Sequence, residues 1–376
     1  MTSQVCGLVE RLETLPDPRR QCRNLKHNFT DIIILGFCGT LAGCDDFVEI
    51  AAFANKHLPF FRTFLELPNG IPSHDTLTRV FAMIPPSTLQ GVLLPWLQER
   101  RGLPGELIHL DGKTMRRTRS KAKNLRALHV VSAWASQTGL TLGQVAVDAK
   151  SNEITALPEL IKLLDLREKI VTIDAMGCQK EIAAAVVEEG GDYVLSVKEN
   201  QPTLYKETAQ AFAKEEVEAT SSHRQYRTEE SGHGRHETRT VDVLSAKGRI
   251  SGLSAWMGLL SLVAVTRVVT QQATGKVSRE VSYFISSLRP NAQRIGQAIR
   301  GHWSIENGLH WVLDVVFRED ARRVYDRIAG QNIAFLNRLA LSLLKADNTP
   351  NSLKIKRKMG GWDVQYLAKI LGFPGV

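Results

Sequence analysis

The sequence has few features of a membrane, secreted or disulfide-stabilised protein. One apolar stretch, DIIILGFCGTLAGC at Asp31–Cys44, is too short to span a bilayer and is interrupted by glycines. The first residues, MTSQVCGLVERLE, lack the apolar segment of a secretory signal. Five cysteines, an odd number without metal-site spacing, favour a reducing compartment over a disulfide framework. We therefore expect a cytoplasmic protein without a membrane partner.

The composition that remains is that of a globular protein with a surplus of positive charge. The 376 residues are 43% hydrophobic and 23% charged, which indicates two or three domains with ample core and no repeats or low-complexity tracts. The formal net charge is +9, with 48 Lys and Arg against 39 Asp and Glu. Such a balance favours a polyanionic partner such as nucleic acid.

Residues 1 to about 100 are predicted to form an all-helical domain. The stretch FTDIIILGFCGTLAGCDDFVEIAAFANKHLPFFRTFL has apolar residues at helical spacing and no strand alternation. Ser73 is placed to cap a helix through DTLTRVFAMI, and PPSTLQGVLLPWL starts another helix after two prolines. The segment RGLPGE, Arg101–Glu106, is the expected domain boundary.

The pattern then changes to α/β. The order of strand-like and helix-like runs is β-β-β-α-β-α-β, beginning with ELIHLD, and QTG predicts a hairpin between the second and third strands. Residues 204–290 are polar with strand-like runs, and we expect a β-rich insertion there. Residues 101–203 and 291–376 are therefore predicted to form one core that the insertion divides.

Two aspartates occupy the same local setting. Asp111 in LIHLDGKT and Asp174 in VTIDAMGC each end an apolar run and precede small residues. Either residue alone is an ordinary strand-end turn residue. Two of them at strand ends, with an acidic helix laid across the strands, would bring several carboxylates together.

The third carboxylate is Glu306 in IGQAIRGHWSIENGLHWVLDVVF, Ile295–Phe317, which the spacing predicts to be one helix. A helical wheel places Glu306 in the middle of an apolar stripe of Ile295, Ile299, His302, Leu309, Leu313 and Phe317. A buried charge without a partner costs several kcal/mol of folding free energy, unless the group changes its protonation state and becomes neutral. Glu306 is therefore expected either to pair with a cation such as Arg300 or to face a metal.

Three carboxylates in one place repel each other unless a cation neutralises them. Oxygen ligands without a Cys or His cluster suit Mg²⁺, for which Mn²⁺ is expected to substitute. Two such ions about 3.5–4 Å apart promote phosphoryl transfer. Zinc is not expected, because the histidines of GHGRHETR have no matching Cys pair.

Several polar side chains are candidates for contacts with DNA, although each is equally a solvated surface group. Lys113, Arg116 and Arg117 follow the first aspartate, and Lys198 and Asn200 follow a later strand. The other candidates are Arg235 and Arg239 in the insertion, Arg300 and His302 beside Glu306, and His74, Thr76 and Arg79 on the helix after Ser73. The basic runs RRQCRNLKH and LKIKRK are expected to be solvated surfaces or to contact phosphates. Trp303 and Trp311, which flank Glu306, are expected in the core or stacked on a base.

A series of motifs resembles the H-repeat-associated insertion-sequence transposases, a group of bacterial DDE transposases. The motifs are HLDGKTMR, SNEITALPELIKLLD, TIDAMGCQKEIA, GGDYVLSVKENQ, GHGRHETR and IRGHWSIENGLHWVLDVVFRED, with LPDPRR and NGIPSHDTLTRVF before them. The resemblance implies a ribonuclease H-like core, with Asp111, Asp174 and Glu306 as the catalytic, metal-binding residues. The Tyr, Arg and Lys that related transposases often place around the glutamate would fall on Ile299, His302 and Leu313, and are absent.

The expected function is therefore DNA transposition by a homodimer or higher assembly on double-stranded DNA, in the bacterial cytoplasm at the nucleoid. Such an enzyme would bind the terminal inverted repeats of its element, cleave there and join 3′-hydroxyl ends to target DNA. Two alternatives stay open from the residues alone. One is a DNA-binding regulator derived from a transposase, and the other is a metal-dependent nuclease that cuts without joining.

Overall fold

The structure is a computed structural model that describes residues 3–20, 25–102, 105–120, 122, 124–147, 152–218, 224–232 and 234–373. The helices are α1 Ser3–Glu13, α2 Phe29–Leu41, α3 Phe47–Lys56, α4 Leu58–Phe61, α5 His74–Phe81, α6 Pro86–Arg101, α7 Glu153–Ile161, α8 Lys180–Glu188, α9 Pro202–Glu218, α10 Ala292–His302, α11 Trp311–Val315, α12 Arg327–Ala346, α13 Leu353–Trp362 and α14 Val364–Leu371. The strands are β1 Leu107–Met115, β2 Leu128–Ala135, β3 Leu140–Val147, β4 Ile170–Ile173, β5 Asp192–Val197, β6 Arg224–Gly232, β7 Arg235–Ser245, β8 Ser261–Gln271 and β9 Val277–Ser286.

The strands form one mixed sheet in the order β3-β2-β1-β4-β5-β9-β8-β7-β6. β1, β2 and β3 pair antiparallel, whereas β4 and β5 run parallel to β1. β9 returns antiparallel to β5 and starts an antiparallel extension that consists of β6–β9. The predicted β-β-β-α-β-α-β order and the QTG hairpin are confirmed, and the segment 204–290 is strand-rich as expected.

Two elements differ from the prediction. β1 runs to Met115 instead of ending at Asp111, and α9 is a helix of 17 residues at the start of the segment expected to be β-rich. Parts of several predicted segments lie outside the described residues. They are residues 103 and 104 of the predicted boundary, residues 21–24 of RRQCRNLKH, His233 of GHGRHETR, and residues 121 and 123 shortly after β1. The predicted domain limits remain predictions.

The described residues before 102 are helical, as predicted. The Ser73 hydroxyl accepts the N–H of Thr76 and caps α5, as its position indicated. α12 joins this region to the sheet, because it packs on α2, α5 and α6 as well as on β2 and β3. The Asn332 amide donates to the carbonyls of Phe81 and Ile84, at 2.9 Å each. The helical region before residue 102 and the sheet therefore share one continuous core.

The two faces of the sheet carry different helices. Ile108 and Leu110 of β1 belong to the core that includes residues of α7 and α8. The opposite face packs on α10 through a second cluster that includes Ile170, Ile295 and Ile299. Because side chains alternate along a strand, His109 and Asp111 lie on the α10 face.

The extension reaches past the carboxyl ends of the central strands. Pairing of β5 with β9 ends at Val197 and Tyr283, but β9 continues back to Val277, paired with β8. Six further residues at about 3.3 Å each carry the extension roughly 20 Å beyond that edge.

No single helix in the described residues is long and apolar enough to cross a membrane. Helices α5 and α6, which have a bend of 95° between them, reach the required length and apolar composition only when they are taken together.

Candidate active site

Asp111 and Asp174 are neighbours at the carboxyl edge of the parallel strands. β1 and β4 pair in the register His109 with Thr172 and Leu110 with Ile173, so the next positions bring the two aspartates alongside each other. Asp174 directly follows β4, as predicted. Asp111 does not end its strand, because β1 continues for four more residues. The structure therefore brings the two predicted aspartates together, with Asp111 inside a strand rather than in a turn.

The Asp111 carboxylate is held by two donors. Its Oδ1 accepts the N–H of Gly112 at 2.9 Å, and its Oδ2 lies 3.1 Å from Nε2 of His310. Burial opposes ionisation of Asp111, but the hydrogen bond and charge of His310, with His302 and the Gly112 N–H, lower its pKa below the ordinary value. Asp111 is thus kept as a carboxylate with a fixed orientation.

Asp174 is in a different electrostatic state. Its Oδ1 accepts the N–H groups of Met176 and Gly177, at 3.1 and 3.3 Å. Burial raises the pKa of Asp174, and the negative charges of Glu153 and Asp111 raise it further. The hydrogen bond from the Gly177 N–H lowers this pKa but does not cancel the rise. A bound cation would relieve this repulsion.

A chain of hydrogen bonds lies beneath the aspartates on the same sheet face. Nδ1 of His302 is 2.8 Å from the hydroxyl of Thr172, which is also 2.6 Å from Nδ1 of His109. Burial holds the pKa of His302 below its ordinary value, and the charges of Asp111, Asp174 and Glu306 offset this only in part. All three predicted carboxylates therefore act on one imidazole.

The prediction of one helix with a buried glutamate is wrong. α10 ends at His302, Trp303 forms a turn, and residues 306–310 form a π turn in which the N–H of Trp311 donates to the carbonyl of Glu306. These irregularities change the helical phase, so Leu309 and Leu313 remain buried while Glu306 is exposed. The alternative pairing with Arg300 is also wrong, because Arg300 bonds Glu230 at 2.9 Å.

His310 at the end of the π turn takes the buried position near Asp111. Its side chain is 8% exposed, and its Nδ1 is buried without a hydrogen-bond partner among the described residues. The short turn that carries Glu306 therefore also supplies the imidazole that orients Asp111. π turns occur frequently at functional sites for this reason, since they redirect side chains within a helix.

The donor set fits a hard divalent cation at the aspartates but does not form a complete three-residue site. Carboxylate oxygens suit Mg²⁺ and Mn²⁺, and the raised pKa of Asp174 marks a place where positive charge is favoured. No group of three or more His, Cys, Asp or Glu side chains could hold a metal ion in the part of the chain described. Glu306 and the two aspartates all influence His302, but they are not assembled as a three-residue ligand group among the described residues.

Lys113 is not available for DNA, contrary to the prediction. It extends from β1 rather than from a loop, is 7% exposed, and its ammonium lies 2.5 Å from Asp314 and 3.5 Å from Asp320. The strand continues past Gly112 because these two carboxylates neutralise the buried cation. Lys113 therefore ties β1 to α11, through Asp314, and to the turn that follows it, through Asp320.

Other basic candidates at this edge are accessible. Arg116 is 83% exposed and bonds Asp320 at 3.2 Å, and Arg117 and Lys198 are also exposed. Lys198 follows β5, so it lies at the same edge as Asp174. Asn200 has a positioning role instead, because its amide donates to the Ala175 carbonyl at 2.7 Å and fastens the loop after Asp174.

Of the two candidates in the β6–β9 extension, one is exposed and the other is ion-paired. Arg235 is exposed at the turn between β6 and β7. Arg239 is paired with Glu237 and with Glu230, the latter at 3.4 Å, and the same Glu230 pairs with Arg300. Arg239 and Arg300 therefore contribute less free charge than their sequence positions suggested.

The remaining candidates lie on exposed surfaces. His74 and Arg79 of α5 are exposed and Thr76 is half-buried, far along the chain from the aspartates. Trp303 and Trp311 are 63% and 56% exposed, which excludes the core position considered for them. Both indoles are therefore in solvent, one before and one after Glu306 in the chain.

Comparison with known proteins identifies the family. The profile described as Transposase DDE domain matches residues 103–343, and the one described as DDE_Tnp_1-associated matches residues 9–97. The chain belongs to the DDE transposase family. The matches cover both the helical region and the sheet that carries Asp111 and Asp174.

Relatives of this DDE chain are similar over nearly its whole length. YncI of Escherichia coli O157:H7 is 38% identical over 97% of this chain and 94% of its own length. YhhI of Escherichia coli K12, an H repeat-associated protein, is 35% identical over 98% of both chains. Their names describe transposases provisionally, and YbfQ of the K12 strain, 36% identical over 19% of this chain and 86% of its own, is named an inactive transposase. The resemblance to H-repeat-associated transposases is confirmed.

A solved piggyBac transposase synaptic complex with hairpin DNA also matches. It covers 100% of this chain and 80% of its own, with 12% identity and a TM-score of 0.39. A likeness at this level does not bear on the chemistry of the present site.

Sequence reasoning missed several groups around the aspartates. Nε2 of His129 lies 2.6 Å from Oε1 of Glu153, and this pair packs against Gly112, where a Cβ would meet that oxygen at 2.1 Å. His109 and Thr172 were also missed, although each lies two residues before an aspartate. Strand alternation places such residues on the same face as the aspartates, so that spacing was the available signal.

Proposed function

We propose that this chain is a transposase that binds the terminal inverted repeats of its own insertion sequence, cleaves the DNA there and joins the 3′-hydroxyl ends to target DNA. The observation that carries the proposal is the pairing of Asp111 and Asp174 at one edge of the sheet, on the face where the Glu306 turn packs. The strand order β3-β2-β1-β4-β5, with β1, β4 and β5 parallel, supports a ribonuclease H-like core.

In this proposal Asp111 and Asp174 hold Mg²⁺, or Mn²⁺ in its place, with Glu306 as the third ligand. Ions held there would supply the Lewis-acid chemistry that activates the attacking oxygen and stabilises the leaving oxygen in phosphoryl transfer. The chain's own residues orient the ligands. His310 and the Gly112 N–H fix Asp111, while the N–H groups after Asp174 fix that carboxylate.

The exposed groups around the edge support double-stranded DNA as the partner. Arg116 and Arg117 follow β1 and Lys198 follows β5, all three exposed at the edge that carries the aspartates, and Arg235 is exposed on the strands that reach past this edge. The exposed indoles of Trp303 and Trp311 offer surfaces on which a base can stack. We propose that DNA crosses the carboxyl edge between the central strands and the β6–β9 extension.

The same proposal assigns the regions of the chain. Residues 1–100 form an accessory DNA-binding domain, 101–203 and 291–376 form the catalytic core, and 204–290 form the insertion. A homodimer or higher assembly on DNA would bring two element ends together, at the nucleoid of a bacterial cytoplasm.

A second candidate is a DNA-binding regulator that has lost catalysis. The exposed Glu306, which forms no three-residue metal group with the aspartates among the described residues, favours this alternative. The two functions share the DNA-binding surfaces and differ only in the chemistry at the carboxylates. A single reaction with labelled DNA therefore distinguishes the transposase from the regulator.

The test incubates the purified chain and Mg²⁺ with a labelled duplex that carries the inverted repeat flanking its own reading frame, together with a target plasmid. Joined products support the transposase. Cleavage without joining supports a nuclease, and binding without any new product supports the regulator.

A further inference from the structure

A basic groove lies in the helical region, away from the carboxylates. It has a volume of about 380 Å³ and lies between α5 on one side and residues 19–20 and 25–27 on the other. Its lining includes Arg19, Arg20, Lys26 and His27 from the first wall and Thr76 and Arg79 from the second. The groove thus joins two features that are about 50 residues apart in sequence, the basic run after LPDP and the helix that Ser73 caps.

The first wall is fastened in place by its own contacts. The Arg19 guanidinium bonds Asp17 at 2.7 Å and donates to the carbonyl of His27 at 2.8 Å. The Asn69 amide donates to the carbonyl of Lys26 at 2.6 Å. Arg19 is therefore a neutralised structural residue, and the wall is held independently of any ligand.

The charges that face the groove are not neutralised in the same way. Arg20, Lys26 and Arg79 are exposed, and none of them forms an ion pair with a carboxylate among the described residues. The guanidinium of Arg79 lies against the hydroxyl of Thr76 and the carbonyl of Asp75. Three cations that form no ion pair in the described part of the chain, together with a hydroxyl, would bind an extended anion better than a single small one.

We propose that this groove holds the phosphate backbone of the element-end duplex, with Arg20, Lys26 and Arg79 as the phosphate contacts. This inference rests on the proposed function and makes α5 a helix that positions DNA rather than one that reads bases. His74, the other candidate on α5, does not line the groove and lies 3.3 Å from Asp75.

The test replaces Arg20, Lys26 and Arg79 with Gln in the full chain and measures binding to the element-end duplex over a range of salt. Loss of three phosphate contacts should reduce the slope of log affinity against log salt by about 2.7, and lower affinity by roughly 500-fold near 0.1 M salt relative to 1 M salt. The control replaces Lys162 and Lys247, two exposed cations near the opposite ends of the strands, and should keep the wild-type slope.

If the groove variant has the same salt slope as the wild-type chain, and the wild-type chain binds and cleaves the duplex, the proposed role of the groove is wrong and the proposed function stands. If wild type itself does not bind the element end, the proposed function fails first. Equal slope changes on duplex RNA, with no preference for DNA, would overturn DNA as the occupant. Should the triple variant not fold, Arg79→Gln against Arg79→Lys tests the same point, with a slope loss of about one expected only for Gln.

Discussion

Replacing His310 should separate catalysis from DNA binding. The imidazole donates to Asp111 across 3.1 Å from a site that is 8% exposed, so the change removes a hydrogen bond to a buried carboxylate. Such bonds contribute about 1.5–3 kcal/mol. At about 1.4 kcal/mol per tenfold in rate, His310→Ala should lower single-turnover strand cleavage roughly 10- to 150-fold. His310→Gln, whose amide can donate to the same oxygen, should recover part of that loss.

The same variant has a pH signature. Because the pKa of Asp111 in the folded chain lies below its ordinary value, its stabilising contribution is present at neutral pH and is lost as pH falls below about 4. His310→Ala should therefore melt lower than wild type at pH 7, with the deficit shrinking in acid. His57→Ala, a partly buried histidine away from the carboxylates, serves as control and should retain cleavage. Unchanged cleavage in His310→Ala, or loss of cleavage and DNA binding in equal measure, would refute the positioning role.

Three further changes test neighbouring parts of the account. Asp174→Asn removes a carboxylate whose folded pKa is raised, so at pH 7 without metal it should melt at least as high as wild type and gain less from Mn²⁺; a strongly lowered melting temperature would contradict this. Gly112→Ala places a Cβ 2.1 Å from Glu153 and should cost about 1–3 kcal/mol in urea unfolding, whereas Gly91→Ala, with open space around it, should not destabilise. Arg338→Met leaves the fully buried Glu319 without its 3.0 Å partner and should cost about 3–5 kcal/mol in the same assay; a loss below 1 kcal/mol would contradict a stabilising role for this buried pair.

Local patterns were sufficient where packing is regular. The alternation and length of LHVVSAWA and LTLGQVAV, with QTG between them, predict the β2–β3 hairpin that forms. The serine before α5 and the prolines before α6 predict where those helices begin. Asp174 was located correctly because β4 is short, apolar and bounded by small residues.

Long-range contacts decided the features that the sequence could not predict. β1 continues through Lys113 because carboxylates about 200 residues later in the chain neutralise that side chain. The Glu306 prediction assumed a constant 100° per residue, and the turn at Trp303 and the π turn violate that assumption. His310 shares the predicted wheel face of Glu306, but its bond to Asp111 depends on a strand almost 200 residues earlier.

The most direct test of the central claim compares wild type with Asp111→Asn and Asp174→Asn on a labelled element-end duplex with Mg²⁺ and a target plasmid. If the two aspartates carry the chemistry, each variant should bind the duplex with the wild-type dissociation constant and yield neither cleaved nor joined strands. Either variant that still cleaves at the wild-type rate, or that loses binding together with cleavage, would contradict the account.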